Sequence, residues 1–155
     1  MREILFRGKR CDNGEWVQGF YVRADHHWHK NGIHKDWIAL GASANGGWFA
    51  LHNKYAVKAE TVGQFTGLTD KNGKKIFEGD ILTIAKRMDG MGEYYFPPIA
   101  YPGNVVVKWD MCAWMWETLG EHRLFISFPD AWCHFECEVI GNIHDNPELL
   151  EVEDA

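Results

Sequence analysis

Four side chains in the segment ADHHWHKNGIHKD, residues 24–36, have the types and spacing of a metal site. If Asn31-Gly32 closes a two-residue hairpin, His29 faces His34 and His27 faces Asp36. Strand alternation then puts His27, His29, His34 and Asp36 on one side of the ribbon. Two histidines at i and i+2, with a facing histidine and a carboxylate, suit zinc or another divalent cation. The competing account is a polar, solvated hairpin, because the sequence reveals no outer hydrogen bonds that would orient metal ligands. Cys133-His134-Phe135-Glu136-Cys137 is a weaker candidate. On a strand, residues four apart lie roughly 13 Å from each other, too far to share an ion at about 2.3 Å per thiolate.

Carboxylate pairs stand at Glu78/Asp80 and Glu136/Glu138, where each could share a strand face for hydrolysis or metal binding. Nothing around them suggests the burial that would tune one as an acid, and Asp80 is better explained as bonding turn amides beside Gly79. Serine occurs only at 43 and 127, neither within a Gly-x-Ser-x-Gly elbow. Phosphate-loop and dinucleotide fingerprints are absent. The expectation is a protein that is not an enzyme and needs no cofactor.

Aromatic residues offer a different chemistry. In KWDMCAWMW, Trp114 and Trp116 share a strand face, and Trp109 can join them across the turn. Filling a core is one account; stacking on bases or gripping a peptide is the other. The loop 87–103 carries Tyr94, Tyr95, Phe96 and Tyr101 among glycines and prolines. A Pro-rich loop seldom buries four aromatics by itself, so these are interface candidates. The expected binding residues are thus Tyr94, Tyr95, Phe96, Tyr101, Trp114 and Trp116.

The elements that must position these groups are strands. Short apolar or alternating runs recur between Gly, Asn and Asp, and helical periodicity is nearly absent. The runs predict strands at 3–7, 15–22, 36–40, 48–51, 55–66, 75–86, 104–109, 111–116, 124–128 and 133–143. In the last, Cys133, Phe135, Cys137 and Val139 alternate with His134, Glu136 and Glu138, giving one dry and one wet face. Asn-Gly pairs at 13–14, 31–32 and 72–73 mark turns. As a two-residue turn, the first pairs Cys11 with Trp16 and sets Gly8 opposite Gly19, leaving a bare patch for close backbone approach. Asp70-Lys71-Asn72-Gly73 fits either such a hairpin or a type I turn that starts on Asp and ends on a left-handed Gly. The tail DNPELLE predicts a short C-terminal helix with Asn146 as cap and Pro147 at its first position.

With 155 residues, 46% hydrophobic and 25% charged, the chain suits one domain or two small subdomains sharing a core. The expected division is a hairpin-rich subdomain at 1–60 and a barrel at 61–155. A net charge of −6 argues against a general phosphate-binding surface, though a local basic patch survives that argument. Its cations would gather from Arg2, Arg7, Lys9 and Arg10, or from Lys71, Lys74 and Lys75. No stretch is apolar enough to cross a bilayer, and MREILFRGKR has charges where a signal peptide needs apolar residues. A cytoplasmic location follows as the expectation, with Cys11, Cys112, Cys133 and Cys137 as reduced, buried thiols.

Several blocks resemble a known family. MREILFRGKRCDNGEWVQGFYV, ETVGQFTGLTDKNGKKIFEGDIL at 60–82, GNVVVKW at 103–109 and EVIGNIHDNPELLE at 138–151 are similar, in the same order, to the YopX family of phage and prophage proteins. The resemblance implies an all-β protein of small, partly open barrels, with an SH3-like C-terminal part. It implies no established activity and carries no catalytic residues over. The His-rich loop and the aromatic loop lie outside the shared blocks. The expected function is a phage or prophage accessory protein in the bacterial host cytoplasm. It would be a non-enzymatic binding or assembly module acting through protein contacts, including a homo-oligomer. Nucleic-acid binding by the barrel and a metal-dependent role at the His hairpin are the alternatives.

Overall fold

The computed structural model describes residues 3–25, 34–45, 48–86, 103–110, 113–118, 125–127 and 135–150. They form antiparallel sheets and two single 3-10 turns. The chain divides into two compact units, Met1–Gly67 and Leu68–Ala155. Residues just past the expected division at 60/61 join the first unit through ladder pairs: Phe6 faces Gln64 and Arg7 faces Gly63.

The first unit holds β1 (Phe6–Lys9), β2 (Trp16–Asp25), β3 (His34–Asn45), β4 (Trp48–Val57), a 3-10 turn at Ala59–Thr61 and the start of β5 (Gly63–Thr69). Their order is β4-β3-β2-β1-β5. The sheet is open, but it curls until the end of β1 meets the end of β4 at one bridge, Arg10 to Val57. Two backbone bonds of 2.9 Å flank it, Cys11 N–H to the Ala56 carbonyl and Lys58 N–H to the Lys9 carbonyl. The predicted strands 48–51 and 55–66 are redistributed. Residues 48–57 run as one strand, and the 3-10 turn interrupts the second prediction, with the Thr61 hydroxyl accepting the Lys9 N–H at 2.8 Å.

The first hairpin differs from the two-residue prediction. Lys9 pairs with Trp16, Gly8 with Val17 and Phe6 with Gly19, so Gly8 and Gly19 do not face each other. A type I′ turn needs positive φ at both central residues, and only Gly14 has it, at 74°. The Asn13 side chain instead accepts the Glu15 N–H at 3.0 Å. Four residues therefore form the loop, closed by Arg10 N–H to the Glu15 carbonyl at 2.9 Å. Close backbone approach still occurs at Gly19, where a Cβ would lie 2.3 Å from the Ala39 carbonyl oxygen.

The second hairpin also shifts. Asp25 pairs with His34 and Arg23 with Asp36, replacing the expected His27–Asp36 and His29–His34 register. Asp36 thus faces a residue four positions from the His27 that a two-residue turn at Asn31-Gly32 would set opposite it.

The second unit contains β6 (Lys75–Phe77), which neighbours the end of β5, then β7 (Asp80–Lys86), β8 (Gly103–Asp110), β9 (Ala113–Thr118), β10 (Phe125–Ser127) and β11 (Phe135–Asn142). The last five form an open sheet in the order β10-β9-β8-β7-β11. Directly opposed residues share a face, and the ladders align Trp116 with Val107, Val105 with Leu82, and Leu82 with Val139. These join Ile76, Ile84, Trp114 and Cys137 in one apolar cluster. On β11, Cys137 and Val139 are buried and Glu136 and Ile140 are exposed, as alternation predicts; a bulge interrupts the ladder between Val139 and Gly141.

Asp70 secures the outer edge of β11. Its chain takes the type I alternative, with Gly73 N–H on the Asp70 carbonyl at 2.9 Å and Gly73 at φ 80°. Asp70 Oδ1 accepts N–H groups from Asn72 at 2.8 Å and Lys74 at 2.9 Å. Its Oδ2 accepts the Val139 N–H at 3.1 Å, while Lys71 N–H donates to the Cys137 carbonyl at 3.0 Å. The turn thus occupies backbone groups that an edge strand would otherwise present. Burial raises the Asp70 pKa, but the three N–H bonds and the Lys74 charge outweigh it, and the net position is below 3.8.

Gly79, at φ 79°, lies between β6 and β7. The buried Asp80 accepts the Phe77 N–H at 2.7 Å, which places it as a turn anchor. The expected C-terminal helix is a single 3-10 turn, Pro147–Leu150, whose Leu149 N–H bonds the Asn146 carbonyl at 3.1 Å. Four residues are too few for successive i→i−4 bonds to establish an α-helix.

Candidate functional site

Of the expected metal group, His34 and Asp36 fall among the described residues. His27 and His29 lie outside the described residues. His34 stands opposite Asp25 in the ladder, and Asp36 stands opposite Arg23. Asp36 is buried and accepts the Tyr21 hydroxyl. Burial, then that bond to Asp36, raises the Tyr21 pKa above 10.0, keeping the phenol protonated as the donor. Among the described residues, no group of three His, Cys, Asp or Glu side chains could hold an ion.

The aromatic candidates separate in a similar way. Tyr94, Tyr95, Phe96 and Tyr101 lie outside the described residues. Trp114 and Trp116 do share a face, but that face is core: Trp116 is 0% exposed and Trp114 is buried. They fill space between strands and do not present rings for stacking. Trp109 does reach Trp114 across the hairpin, with ring centroids 4.9 Å apart in an edge-on arrangement, and it is 51% exposed.

Three residues of the expected basic clusters, Arg10, Lys71 and Lys74, are engaged within the fold. Arg10 forks onto Asp12 with bonds of 3.0 and 2.6 Å and approaches Glu15 at 3.6 Å. Lys71 pairs with Glu138 at 2.6 Å, and Lys74 Nζ reaches the Val139 carbonyl at 3.5 Å. Arg2 lies outside the described residues.

A different constellation forms on the outer face of the first unit. Strand alternation and the ladders place Arg7 and Lys9 of β1, Trp16, Gln18, Phe20 and Val22 of β2, Lys35 and Trp37 of β3, and Lys54 of β4 on one side. The other side holds Ile38, Val57, Asp36 and Gly8, all buried. The inner side is dry at these positions, though Arg23 and Leu40 on it are exposed, and Ala39, between Phe20 and Lys54 on the outer side, is buried. Arg7 and Lys9 lie over the Trp16 ring at 4.8 and 5.9 Å from its centroid, and Lys54 and Lys35 flank Trp37 at 5.2 and 6.0 Å. These contacts orient long side chains along the rings by cation–π attraction. Phe20 projects between the two groups and is 55% exposed. Gln18, Lys35 and Lys54 are exposed as well.

Among these strand positions there is no carboxylate. In a chain of net charge −6, four cations gathered with three aromatic rings on one solvent face form a local reversal of sign. Such a face can bind anionic groups and flat apolar groups together. Arg7 and Lys9 were legible in the sequence; Lys35 and Lys54 were not, because only the β2–β3–β4 ladders align them. The signal that could have found them is the i, i+2 alternation Lys35-x-Trp37 beside Trp16-x-Gln18-x-Phe20.

A family model described as YopX protein matches residues 5–151 of the sequence. The chain belongs to the YopX family. In fold, this YopX chain is similar to the crystal structure of protein EF1440 from Enterococcus faecalis, with 25% sequence identity and a TM-score of 0.53. That likeness covers 97% of this chain and 100% of the other. Among curated proteins, none matches the YopX chain. No described helix is long and apolar enough to cross a membrane.

Proposed function

We propose that the protein is a non-enzymatic, β-rich binding module that meets an anionic partner through the outer face of β1–β4. It acts as a phage or prophage accessory protein in the host cytoplasm. The observation that carries this reading is the face on which Arg7, Lys9, Lys35 and Lys54 surround Trp16, Phe20 and Trp37, with no carboxylate among its described strand positions. Opposite charge steers partners and raises association rates, and aromatic side chains supply contact area at little entropic cost. The protein contacts expected from the sequence fit this module, with an acidic protein surface as one form of anionic partner; the SH3-like character is expected of the C-terminal part, outside this face.

The test is retention on a heparin matrix at low salt. The wild-type chain should be retained despite its net negative charge, and Lys35→Glu/Lys54→Glu should flow through while keeping the wild-type circular dichroism spectrum. Wild-type protein in the flow-through would end this reading.

A further inference from the structure

We infer that the anionic partner of this face is single-stranded nucleic acid, an inference that rests on the proposed contact role of the face.

The residue types favour it first. Protein–protein interfaces are depleted in lysine, with charge thinned out at their centres. Here three of the four cations are lysines, and Lys54 stands in the same cross-strand row as the exposed Phe20. Polyphosphate recognition uses lysine and arginine alike.

The arrangement favours it next. Successive rows on one face of a strand lie about 6.6 Å apart. Taken along β2, Lys9 and Trp16 share one row, Arg7 and Gln18 the next, then Phe20 with Lys54, then Val22 with Trp37, then Lys35 beyond. Cations and rings thus alternate over roughly 26 Å, eight residues of strand. A backbone of phosphates can follow the cations while unpaired bases stack on the rings, and sites of this kind begin at about 4 nucleotides.

Shape then separates single strands from duplex. Four strands span roughly 14 Å at about 4.8 Å per spacing. A major groove about 12 Å wide admits a helix or a two-stranded ribbon, not a sheet face of this breadth. Stacking also requires bases that are already unpaired.

The experiment is a fluorescence anisotropy titration of labelled twelve-residue oligothymidylate and oligouridylate between 50 and 200 mM salt. Both sugars are used because the phosphates and stacking bases are common to each. Four neutralised phosphates on a single strand give a slope of about −2.8 in log K against log salt. Affinity should therefore fall about 50-fold across that range. Lys35→Ala/Lys54→Ala should halve the slope to about −1.4. Phe20→Ala should lose about tenfold in affinity with no change in slope, since a lost stack is not a lost charge. These three side chains are exposed, and an unchanged melting temperature verifies the fold of each variant.

The inference is overturned if neither oligonucleotide binds saturably at 50 mM salt, or if Phe20→Ala binds as tightly as wild type. It is also overturned if polyglutamate or a duplex competes as well as the unlabelled single strand. Should oligonucleotides fail while the Lys35→Glu/Lys54→Glu variant still loses heparin retention, the contact face stands and its partner is an acidic protein. Failure of both removes the contact face too.

Discussion

Replacing Asp70 with alanine removes one carboxylate that accepts three backbone N–H groups, two from its own turn and one from Val139 on β11. Hydrogen bonds to a charged group contribute about 1.5–3 kcal/mol each, against about 0.5–1.5 kcal/mol for neutral ones. Val139 is buried, so its N–H would lose its acceptor with little access to water. Asn72 and Lys74 are exposed and can rehydrate. Weighting the first bond fully and the other two as neutral gives a loss of about 2.5–6 kcal/mol. That is a large share of the 5–15 kcal/mol typical of a domain. With a urea m-value of about 2 kcal/mol/M, the midpoint should fall by roughly 2 M.

The dependence on pH identifies the charge. The folded-state pKa of Asp70 lies below its ordinary value of 3.8, so the folded state prefers the ionised form. The resulting stabilisation is fully present above about pH 3.8, where the unfolded chain is ionised too. It is lost as pH falls from there through the lower folded-state pKa. Urea melts of wild type and Asp70→Asn should therefore differ at pH 7 and converge below that window, and hydrogen exchange at the Val139 amide should accelerate in the variant at pH 7. A difference that persists undiminished at low pH, or a Val139 amide as protected as in wild type, would refute the assignment of Asp70 as the tie between the turn and β11.

Three further outcomes follow from the same structure. Gly19→Ala should destabilise the first unit by at least about 2 kcal/mol in a urea melt, because a Cβ there lies 2.3 Å from the Ala39 carbonyl and only backbone movement relieves it. Lys71→Met should leave the urea midpoint close to that of wild type, since the Lys71–Glu138 pair is exposed and screened; a loss matching that of Asp70→Ala would contradict the division of labour within the turn. At pH 8, peptide mapping after iodoacetamide treatment should find Cys11 alkylated well before Cys137. Cys11 is exposed, whereas burial, aided by the Asp70 charge, pushes the Cys137 thiol up to about 11. The exposure of Cys11 also corrects the expectation that this thiol is buried.

Local chemistry was readable where a few neighbouring residues decide it. The dry and wet sides of β11 follow from Cys137 and Val139 alternating with Glu136 and Glu138. The Asp70–Gly73 turn follows from an aspartate that can accept nearby amides and a glycine that tolerates positive φ. Trp116 could be placed beside Trp114, but alternation alone did not reveal which side was core; burial against Val107 and Leu82 decides that.

The sequence by itself thus determined the β class, most strand positions and the family, because alternation and turn residues act over two to four positions. Only the tertiary structure decided register and faces. Asn13-Gly14 permits more than one hairpin, and the choice falls to Arg10, Glu15 and the bridge to Val57, a contact between residues far apart in the chain. A change of register moves every side chain relative to its neighbours across the ladder. That is why Asp36 faces Arg23 and His34 faces Asp25, not the partners their spacing suggested, and why Lys9, Phe20, Lys35 and Lys54 share a solvent face that no local pattern announces.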